Sequence, residues 1–385
     1  MLVIVGLVAL WYGLVPVTGA LIRRYKWFKF RNRFNGFRLH PIVDNRAYWE
    51  SGGDGEVGED FRFIGEFESV TDRQVLWVRG RDLLIPVYLK TAETYLLPMQ
   101  RGDGNSDPGD ETLERIRWGK VAALAEGTRV FVAGRLSYRD GRRVFVSTKE
   151  NPLMVIFYDG PDHSLATKTV WAGRRGAEYF NLVTPYSLII GALCLLFIAA
   201  FFLDRPAFRP TVIVSIVAIF VPLFPLVPPG LLFTVVYRNL AWRSRILRAY
   251  GDLAKLPLSY FASGNGEIRL RGKRVLPDGE PYGFVCSTEL PSEVHEGKIP
   301  LLIPGITEPQ GGNWYIFGTV FPSDLLPFRP SDPLATFGAL PGNPREFARR
   351  CTAKAYALET IAWIVLLAGI ALNVFFLWLV LSLLL

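Results

Sequence analysis

The sequence is poor in the residues from which catalytic centres, metal sites and disulfide frameworks are usually built. Its cysteines and histidines, three of each, are Cys194, Cys286, Cys351, His40, His163 and His295. The cysteines are too widely spaced to indicate a disulfide framework or a metal motif. No histidine lies in an HExxH or nucleophile-elbow spacing. We therefore predict that the chain is not an enzyme and has no catalytic residue, no metal site and no cofactor.

Ionisable side chains are also missing from four long apolar blocks, although half of the 385 residues are hydrophobic. The blocks cover residues 2–22, 182–203, 211–236 and 361–385. Each has about the twenty residues that a helix needs to cross the ~30 Å hydrocarbon layer of a membrane. Because a path for ions or protons is normally lined by ionisable groups, their absence argues against a transporter. The first block has no basic segment before it, so we predict a retained anchor and not a cleaved signal.

Basic residues flank each block on one side. Lysine and arginine beside short hydrophobic segments stay in the cytoplasm, so these flanks orient the chain. The flanks include Arg23, Arg24, Lys26 and Lys29 after the first block, Arg174 and Arg175 before the second, Arg238, Arg243 and Arg245 after the third, and Arg349 and Arg350 before the fourth. All four predict cytoplasmic soluble domains, an outer loop at 204–210 and outer termini. The location that fits is a prokaryotic inner membrane.

The predicted organisation alternates membrane helices with β-rich domains. It comprises transmembrane helix 1 at 1–22, a juxtamembrane segment with β-rich domain 1 at 23–181, transmembrane helix 2 at 182–203, transmembrane helix 3 at 211–236, a juxtamembrane segment with β-rich domain 2 at 237–358, and transmembrane helix 4 at 359–385. The fold class is thus membrane α-helical plus β, with four spans and two small β-barrel-like domains.

Prolines interrupt the third block. Because proline removes a backbone donor and clashes with the preceding turn, Pro222, Pro225, Pro228 and Pro229, followed by Gly230, predict a break in the helix. The break is a candidate hinge or a ligand-lined gap, or it is a kink fitted to neighbouring helices, which we favour. A re-entrant hairpin is the other topology. It would place the basic flank of the fourth block outside, so we predict a complete span.

The segment after the first block alternates basic and aromatic residues from Arg23 to Arg33. Such a run could bind nucleic acid or anionic lipid. Directly after a span, Tyr25 and Trp27 belong at the headgroup layer, and each nearby cation gains ~1 kcal/mol from acidic lipids. We predict that this segment and the other basic flanks contact membrane lipids, and we expect no nucleic acid. The net charge of +8 is largely explained by these flanks.

The soluble segments have strand character. Predicted strands are 74–79, 83–90, 129–136 and 143–147 in the first domain, and 267–270, 282–286, 299–303 and 314–321 in the second. Asp140-Gly141 supplies the turn of a hairpin. Short, curved, glycine-punctuated strands suit barrels of the oligonucleotide/oligosaccharide-binding (OB) type.

The two halves also share a plan, which predicts an internal duplication. In the first half Phe131-Val-Ala-Gly134-Arg-Leu136 is followed by Asn151-Pro152-Leu153 and then by a basic flank and a span. In the second half Tyr315-Ile-Phe-Gly318-Thr-Val320 is followed by Asp332-Pro333-Leu334 and then by the same pair of features.

One stretch of the first half has a family resemblance. Glu126-Gly127 leads through Phe131-Val-Ala-Gly134 and Asp140-Gly141 to Pro152-Leu153 and into a span. Over residues 119–203 the chain resembles the domain beside the membrane in mitochondrial membrane-anchored ubiquitin ligases and their prokaryotic relatives. The resemblance implies a module that recognises a substrate or a partner. Ligase activity does not carry over, because the chain has no cysteine and histidine cluster for the zinc-binding RING.

Two functional hypotheses follow from these patterns. The first is a multi-pass scaffold or binding protein whose duplicated β domains meet a protein partner, or each other in an oligomer, at the cytoplasmic membrane surface. The alternative is an enzyme or lipid-handling protein of the membrane interface with a cavity near the broken third block.

Overall fold

The structure is a computed structural model with eight helices and thirteen strands among the residues that it describes. These residues are 2–45, 48, 59–71, 74–80, 82–97, 113–121, 123–139, 141–148, 151–172, 179, 181–263, 268–270, 276, 279–303 and 312–384. The helices are α1 Leu2–Phe37, α2 Trp118–Val121, α3 Leu165–Trp171, α4 Thr184–Phe202, α5 Arg209–Ile219, α6 Gly230–Lys255, α7 Ser292–His295 and α8 Pro344–Leu384.

The strands fall in two groups along the chain. The first group is β1 Asp60–Thr71, β2 Val75–Arg79, β3 Leu84–Tyr88, β4 Glu93–Leu96, β5 Glu114–Arg115, β6 Arg129–Arg139, β7 Arg142–Val146 and β8 Met154–Tyr158. The second group is β9 Phe261–Ser263, β10 Ile268–Leu270, β11 Tyr282–Ser287, β12 Trp314–Thr319 and β13 Gly338–Pro341.

The chain forms two compact units. The helical unit contains Met1–Phe28, Arg174–Arg248 and Cys351–Leu385, and the β unit contains Lys29–Gly173 and Ala249–Arg350. Three helices, α1, α4 and α8, are long and apolar enough to cross a membrane. These helices indicate a membrane protein.

The third predicted span is not one helix. Residues 211–236 divide into α5, a 3-10 turn at Val221–Leu226 and the first part of α6. Because Pro222 and Pro225 cannot donate backbone hydrogen bonds, the regular helix ends at Ile219 and resumes only at Gly230. The helix α5 has 11 residues and is shorter than the three long apolar helices. A fourth complete span therefore stays a prediction.

Close helix contacts in the helical unit depend on glycine. Gly191 of α4 lies directly against Trp11 and Tyr12 of α1, with no room for a Cβ atom. Gly369 of α8 lies against Phe233 of α6 in the same way. Small residues let helices approach closely where lipid gives no hydrophobic drive for association.

The first group of strands contains a closed five-stranded barrel. The strands β1, β2 and β3 form an antiparallel meander, β3 pairs in parallel with β7, β7 returns antiparallel to β6, and β6 pairs with β1 to close the ring. Each strand sends a buried apolar side chain into the core: Phe63, Leu76, Ile85, Val132 and Phe145. The barrel thus has a filled interior.

The long strand β1 serves two partners in this ring. Its first half pairs with β6, and from Glu66 onward it pairs with β2. Gly65 lies where the partner changes, and a side chain there would overlap the carbonyl oxygen of Arg79. Glycine is required because the strands approach closely at this bend. Outside the ring, β8 extends the sheet from β6, with β4 and β5 beyond it.

The second β region, residues 249–350, is smaller. The strands β11, β12 and β13 form an antiparallel sheet, and β9 and β10 form a separate pair. Its core contains Val294, Ile299, Trp314, Ile316 and Ala339. The described residues of this region form no closed barrel. Of its four predicted strands, 299–303 is reduced to one bridge between Leu301 and Ala339.

Four residue pairings of the first group of strands have counterparts in the second group. They coincide when Arg135 of β6 is aligned with Thr319 of β12. Arg135 pairs with Asp60, as Thr319 pairs with Tyr282. The pair of Ala133 with Met154 corresponds to the pair of Phe317 with Gly338. The pair of Arg135 with Val146 corresponds to that of Thr319 with Phe328. The parallel contact of Thr94 with Val155 corresponds to that of Leu301 with Ala339. The predicted match of Pro152 with Pro333 is displaced by three residues in this register.

Candidate functional site

A buried ion pair joins the barrel to the second β region. Arg62 of β1 and Asp332 have side chains that are each 1% exposed. The guanidinium binds the carboxylate through two bonds, Nη1 to Oδ1 at 2.9 Å and Nη2 to Oδ2 at 2.5 Å. Its Nε donates to the carbonyl oxygen of His40 at 2.6 Å. Such planar two-point geometry is the strongest form of an arginine–carboxylate contact.

Asp332 is held in place by its own chain. Its Oδ1 also accepts a hydrogen bond from the backbone N–H of Leu334 at 3.0 Å. An aspartate that binds the backbone two residues later forms a local turn, and Pro333 between them restricts that turn further. The turn therefore presents the carboxylate to Arg62.

A second arginine also binds residues of the second β region. Arg38, directly after α1, is fully buried. Its Nη2 donates to the carbonyl oxygen of Leu256 and to Oγ of Ser259, both at 2.6 Å, and its Nη1 donates to Oγ1 of Thr336 at 3.1 Å. The guanidinium also lies 5.5 Å from the centre of the Tyr260 ring. One side chain thus binds two separate segments of the second β region, 256–260 and the one that contains Thr336.

Two tyrosines complete the buried cluster. The rings of Tyr260 and Tyr282 lie 4.3 Å apart, and the hydroxyl of Tyr282 donates to the carbonyl oxygen of Thr336 at 2.7 Å. Burial raises the pKa of both phenols, and for Tyr260 the positive charge of Arg38 opposes that rise. Both therefore stay protonated at neutral pH; Tyr282 donates to Thr336, and Tyr260 contributes through packing. This cluster joins two parts of the β unit and offers no surface to a substrate.

An open groove of about 640 Å³ lies beside β11. It is lined by Val285, Cys286, Ser287, Glu289, Leu290, Pro291, Ser292, His295, Leu325 and Leu326. Burial raises the pKa of the Cys286 thiol, and a hydrogen bond with Tyr315 opposes the rise. Because the thiolate is the reactive form, Cys286 is a weak nucleophile at neutral pH. The groove is suited to binding through its apolar walls.

The three histidines lie in different surroundings. His295 lines the groove, His163 is exposed in a 3-10 turn, and Nδ1 of His40 lies 3.2 Å from the carbonyl oxygen of Asp60. Across the described ranges, no three histidine, cysteine or acidic side chains are grouped as metal ligands.

The proline-rich break in the helical unit is closed by hydrogen bonds from two polar side chains. Nδ2 of Asn373 in α8 donates to the carbonyl oxygens of Phe224 at 2.6 Å and Val227 at 3.0 Å. Oγ1 of Thr234 donates to the carbonyl oxygen of Pro225 at 2.6 Å. The carbonyl oxygens of Phe224 and Val227 also accept backbone N–H groups, from Val227 at 3.2 Å and Leu231 at 3.1 Å, so the amide of Asn373 adds a second bond to each. In hydrocarbon an unpaired carbonyl is costly, and Thr234 supplies the donor for Pro225. The sequence signal for Asn373 is a single amide midway along an apolar block.

The predicted interface residues fall into three groups. Tyr25, Lys26, Lys29, Arg238, Arg243, Arg349 and Arg350 are exposed, Arg23, Arg24, Trp27 and Arg245 are partly buried, and Arg174 and Arg175 lie outside the described residues. In the helical unit, Glu359 binds both Arg24, at 2.6 Å, and Arg248. Two of the basic side chains thus form ion pairs with Glu359 that link α1 and α6 to α8.

A comparison of the chain with protein-family models, with curated proteins and with solved structures finds no match to any of the three.

Proposed function

We propose that the chain is a multi-pass membrane scaffold that presents its two β regions, as one joined body, to a protein partner at the cytoplasmic membrane surface. The observation that carries this proposal is the buried cluster of Arg38, Arg62 and Asp332. Arg62 and Asp332 bind each other, and Arg38 binds carbonyl and hydroxyl oxygens, so these charged groups hold two β regions together in place of acting on a substrate. A fixed pair of domains suits a protein that positions a partner.

We further propose that the barrel is of the OB type and that the second β region is a reduced copy of it. Five strands in a closed ring, with a single parallel pair between β3 and β7, support the first assignment. The four pairings that recur in one register support the duplication. A duplicated domain offers two related surfaces to partners or to a second copy.

The cytoplasmic orientation rests on the basic flanks and is directly testable. Ala207 is exposed in the predicted outer loop, and Cys286 is exposed in the β unit. A membrane-impermeant maleimide added to intact cells should label an Ala207→Cys variant and should reach Cys286 only after permeabilisation. Labelling of Cys286 in sealed cells as fast as after permeabilisation would reverse the proposed orientation.

Photo-crosslinking in native membranes tests the scaffold function. A photoreactive residue replaces Leu325, whose side chain is 89% exposed in the β unit, or Ala207 as a control outside the β unit. We expect the Leu325 position to crosslink to one defined protein and the Ala207 position to give no such product. If several exposed positions of the β unit yield only the uncrosslinked chain, the scaffold proposal is wrong.

A further inference from the structure

We propose that the groove beside β11 binds an extended segment of a partner protein that carries apolar side chains and one basic side chain. The segment would fill the position that β2 fills in the barrel. This inference rests on the proposed scaffold function, since it names the surface through which the partner is held.

The shared register places the groove where the barrel has β2. In that register Ser287, the last residue of β11, corresponds to Gly65 of β1. The next residue of β1, Glu66, is where pairing with β2 begins. In the second β region the chain instead turns into α7 after Ser287, and the described residues supply no strand there. The groove occupies this position.

The opposite wall of the groove also has a counterpart in the barrel. There the strand β2 contacts the start of β7, with the guanidinium of Arg142 5.6 Å from the centre of the Trp77 ring. The counterpart of β7 in the second β region is the bridge residue Phe328. Leu325 and Leu326 precede it and line the groove. In the barrel β2 pairs with β1 and β3 and also contacts the start of β7. The counterparts of β1 and β7 both line the groove, and the described residues supply no strand as a counterpart of β3.

The chemistry of the occupant follows from the walls. Val285, Leu290 and Leu326 give them apolar surface. In the barrel, the occupant of this position is the strand Val75–Arg79, with four apolar residues followed by an arginine. Nη2 of Arg79 binds Oε1 of Glu68 on β1 at 2.5 Å.

The groove has an acidic residue next to the corresponding place, since Glu68 is aligned with Leu290 and Glu289 directly precedes it. Glu289 is exposed, two residues after β11 ends, and it forms no ion pair with the described residues. An incoming apolar strand with one lysine or arginine would bury the walls and pair with this carboxylate. Apolar walls beside an unpaired carboxylate thus favour a basic, extended peptide.

A charge-exchange experiment tests the proposal with the full chain in lipid nanodiscs. The probe is a fluorescent peptide with the sequence of residues 74–79, and the comparison peptide carries glutamate in place of its arginine. We expect the basic peptide to bind at least about tenfold more tightly than the acidic one. Glu289→Lys should reverse this preference, because the new cation repels the basic peptide and attracts the acidic one.

The control variant is Glu126→Lys, which makes the same charge change at an exposed position of the barrel. It should leave both affinities unchanged, and thermal unfolding of both variants should match that of the parent chain. A preference that survives Glu289→Lys, or that Glu126→Lys alters equally, would overturn the proposal. Dissociation of a dimer by Leu326→Asp would also overturn it, since a second copy would then be the occupant.

Two further outcomes separate this inference from the function on which it rests. If neither peptide binds while the Leu325 crosslink to a partner persists, the groove proposal fails and the scaffold stands. If peptide binding and crosslinks from the β unit are both absent, both proposals fail.

Discussion

Arg62 and Asp332 lie 270 residues apart in sequence and form a two-point ion pair in which neither side chain is more than 1% exposed. Because the charges are withdrawn from water, neither can be left without the other. The pair therefore makes the barrel and the second β region depend on each other for stability.

Asp332→Ala should lower the free energy of unfolding by about 3–5 kcal/mol, since it leaves the guanidinium of Arg62 buried without its carboxylate. Thermal or chemical unfolding of the purified chain, followed by tryptophan fluorescence, measures the loss. Replacing both Arg62 and Asp332 by leucine should cost less than the single change. Glu68→Ala, which breaks the exposed pair with Arg79, should have little effect and serves as the control. Equal losses for Asp332→Ala and Glu68→Ala would show that the buried pair stabilises the fold no more than the exposed pair does.

Arg38→Lys should destabilise the β unit although the charge is kept. A lysine ammonium is a single point, so it cannot bind Leu256 and Thr336 together as the planar guanidinium does. Each lost bond to a charged donor costs about 1.5–3 kcal/mol, which the same unfolding measurement would detect. Arg142→Lys, at an exposed arginine, is the matched control. A parent-like stability for Arg38→Lys would refute the multi-segment role of Arg38.

Asn373→Leu should destabilise the helical unit by about 1–2 kcal/mol, because it removes the side-chain donor that binds the carbonyl oxygens of both Phe224 and Val227 in the proline-rich break. Thermal unfolding in detergent or lipid is the measurement. Val374→Leu changes the neighbouring exposed side chain and should leave stability unchanged. If the two variants unfold alike, the amide does not secure the break.

Alkylation of Cys286 should still accelerate at a pH where an ordinary thiol has reached its plateau. The pKa of this thiol is raised by burial, so the thiolate fraction keeps growing to higher pH. The rate is measured in a chain in which Cys194 and Cys351 are replaced by alanine. Tyr315→Phe removes the hydrogen bond that opposes the rise and should shift the profile further up. A profile that levels off at the ordinary thiol pKa would contradict the raised pKa of Cys286.

Local patterns in the sequence were sufficient for several strands. The strands β2, β3, β6 and β7 lie where alternation and β-branched or aromatic residues predicted them, and the hairpin turn lies between Arg139 and Arg142 as expected. The strand β1 was missed although Phe61, Phe63 and Phe67 alternate with charged residues. This alternation does not show that Arg62, at one of the charged positions, is buried. The strand β8 was missed because all five of its residues are buried, so it has no alternation at all.

The site could not be read from sequence for a related reason. Charged side chains are normally exposed, so nothing local marks Arg38, Arg62 or Asp332 as buried partners. The groove depends on strand pairing between distant segments. The position of the proline break was predictable, but its hydrogen-bond donor lies in another helix, and only the fold brings Asn373 to it.

The amide of Asn373 has a mechanical consequence for α8. A slide of this helix along its axis by one turn, about 5.4 Å, would carry the donor past both Phe224 and Val227. The two carbonyl oxygens would keep their backbone donors, but the amide would lose both acceptors where no water replaces them. Asn373 therefore opposes a slide of α8 along its axis, whereas tilting or rotation of the bundle as a whole leaves its two bonds intact.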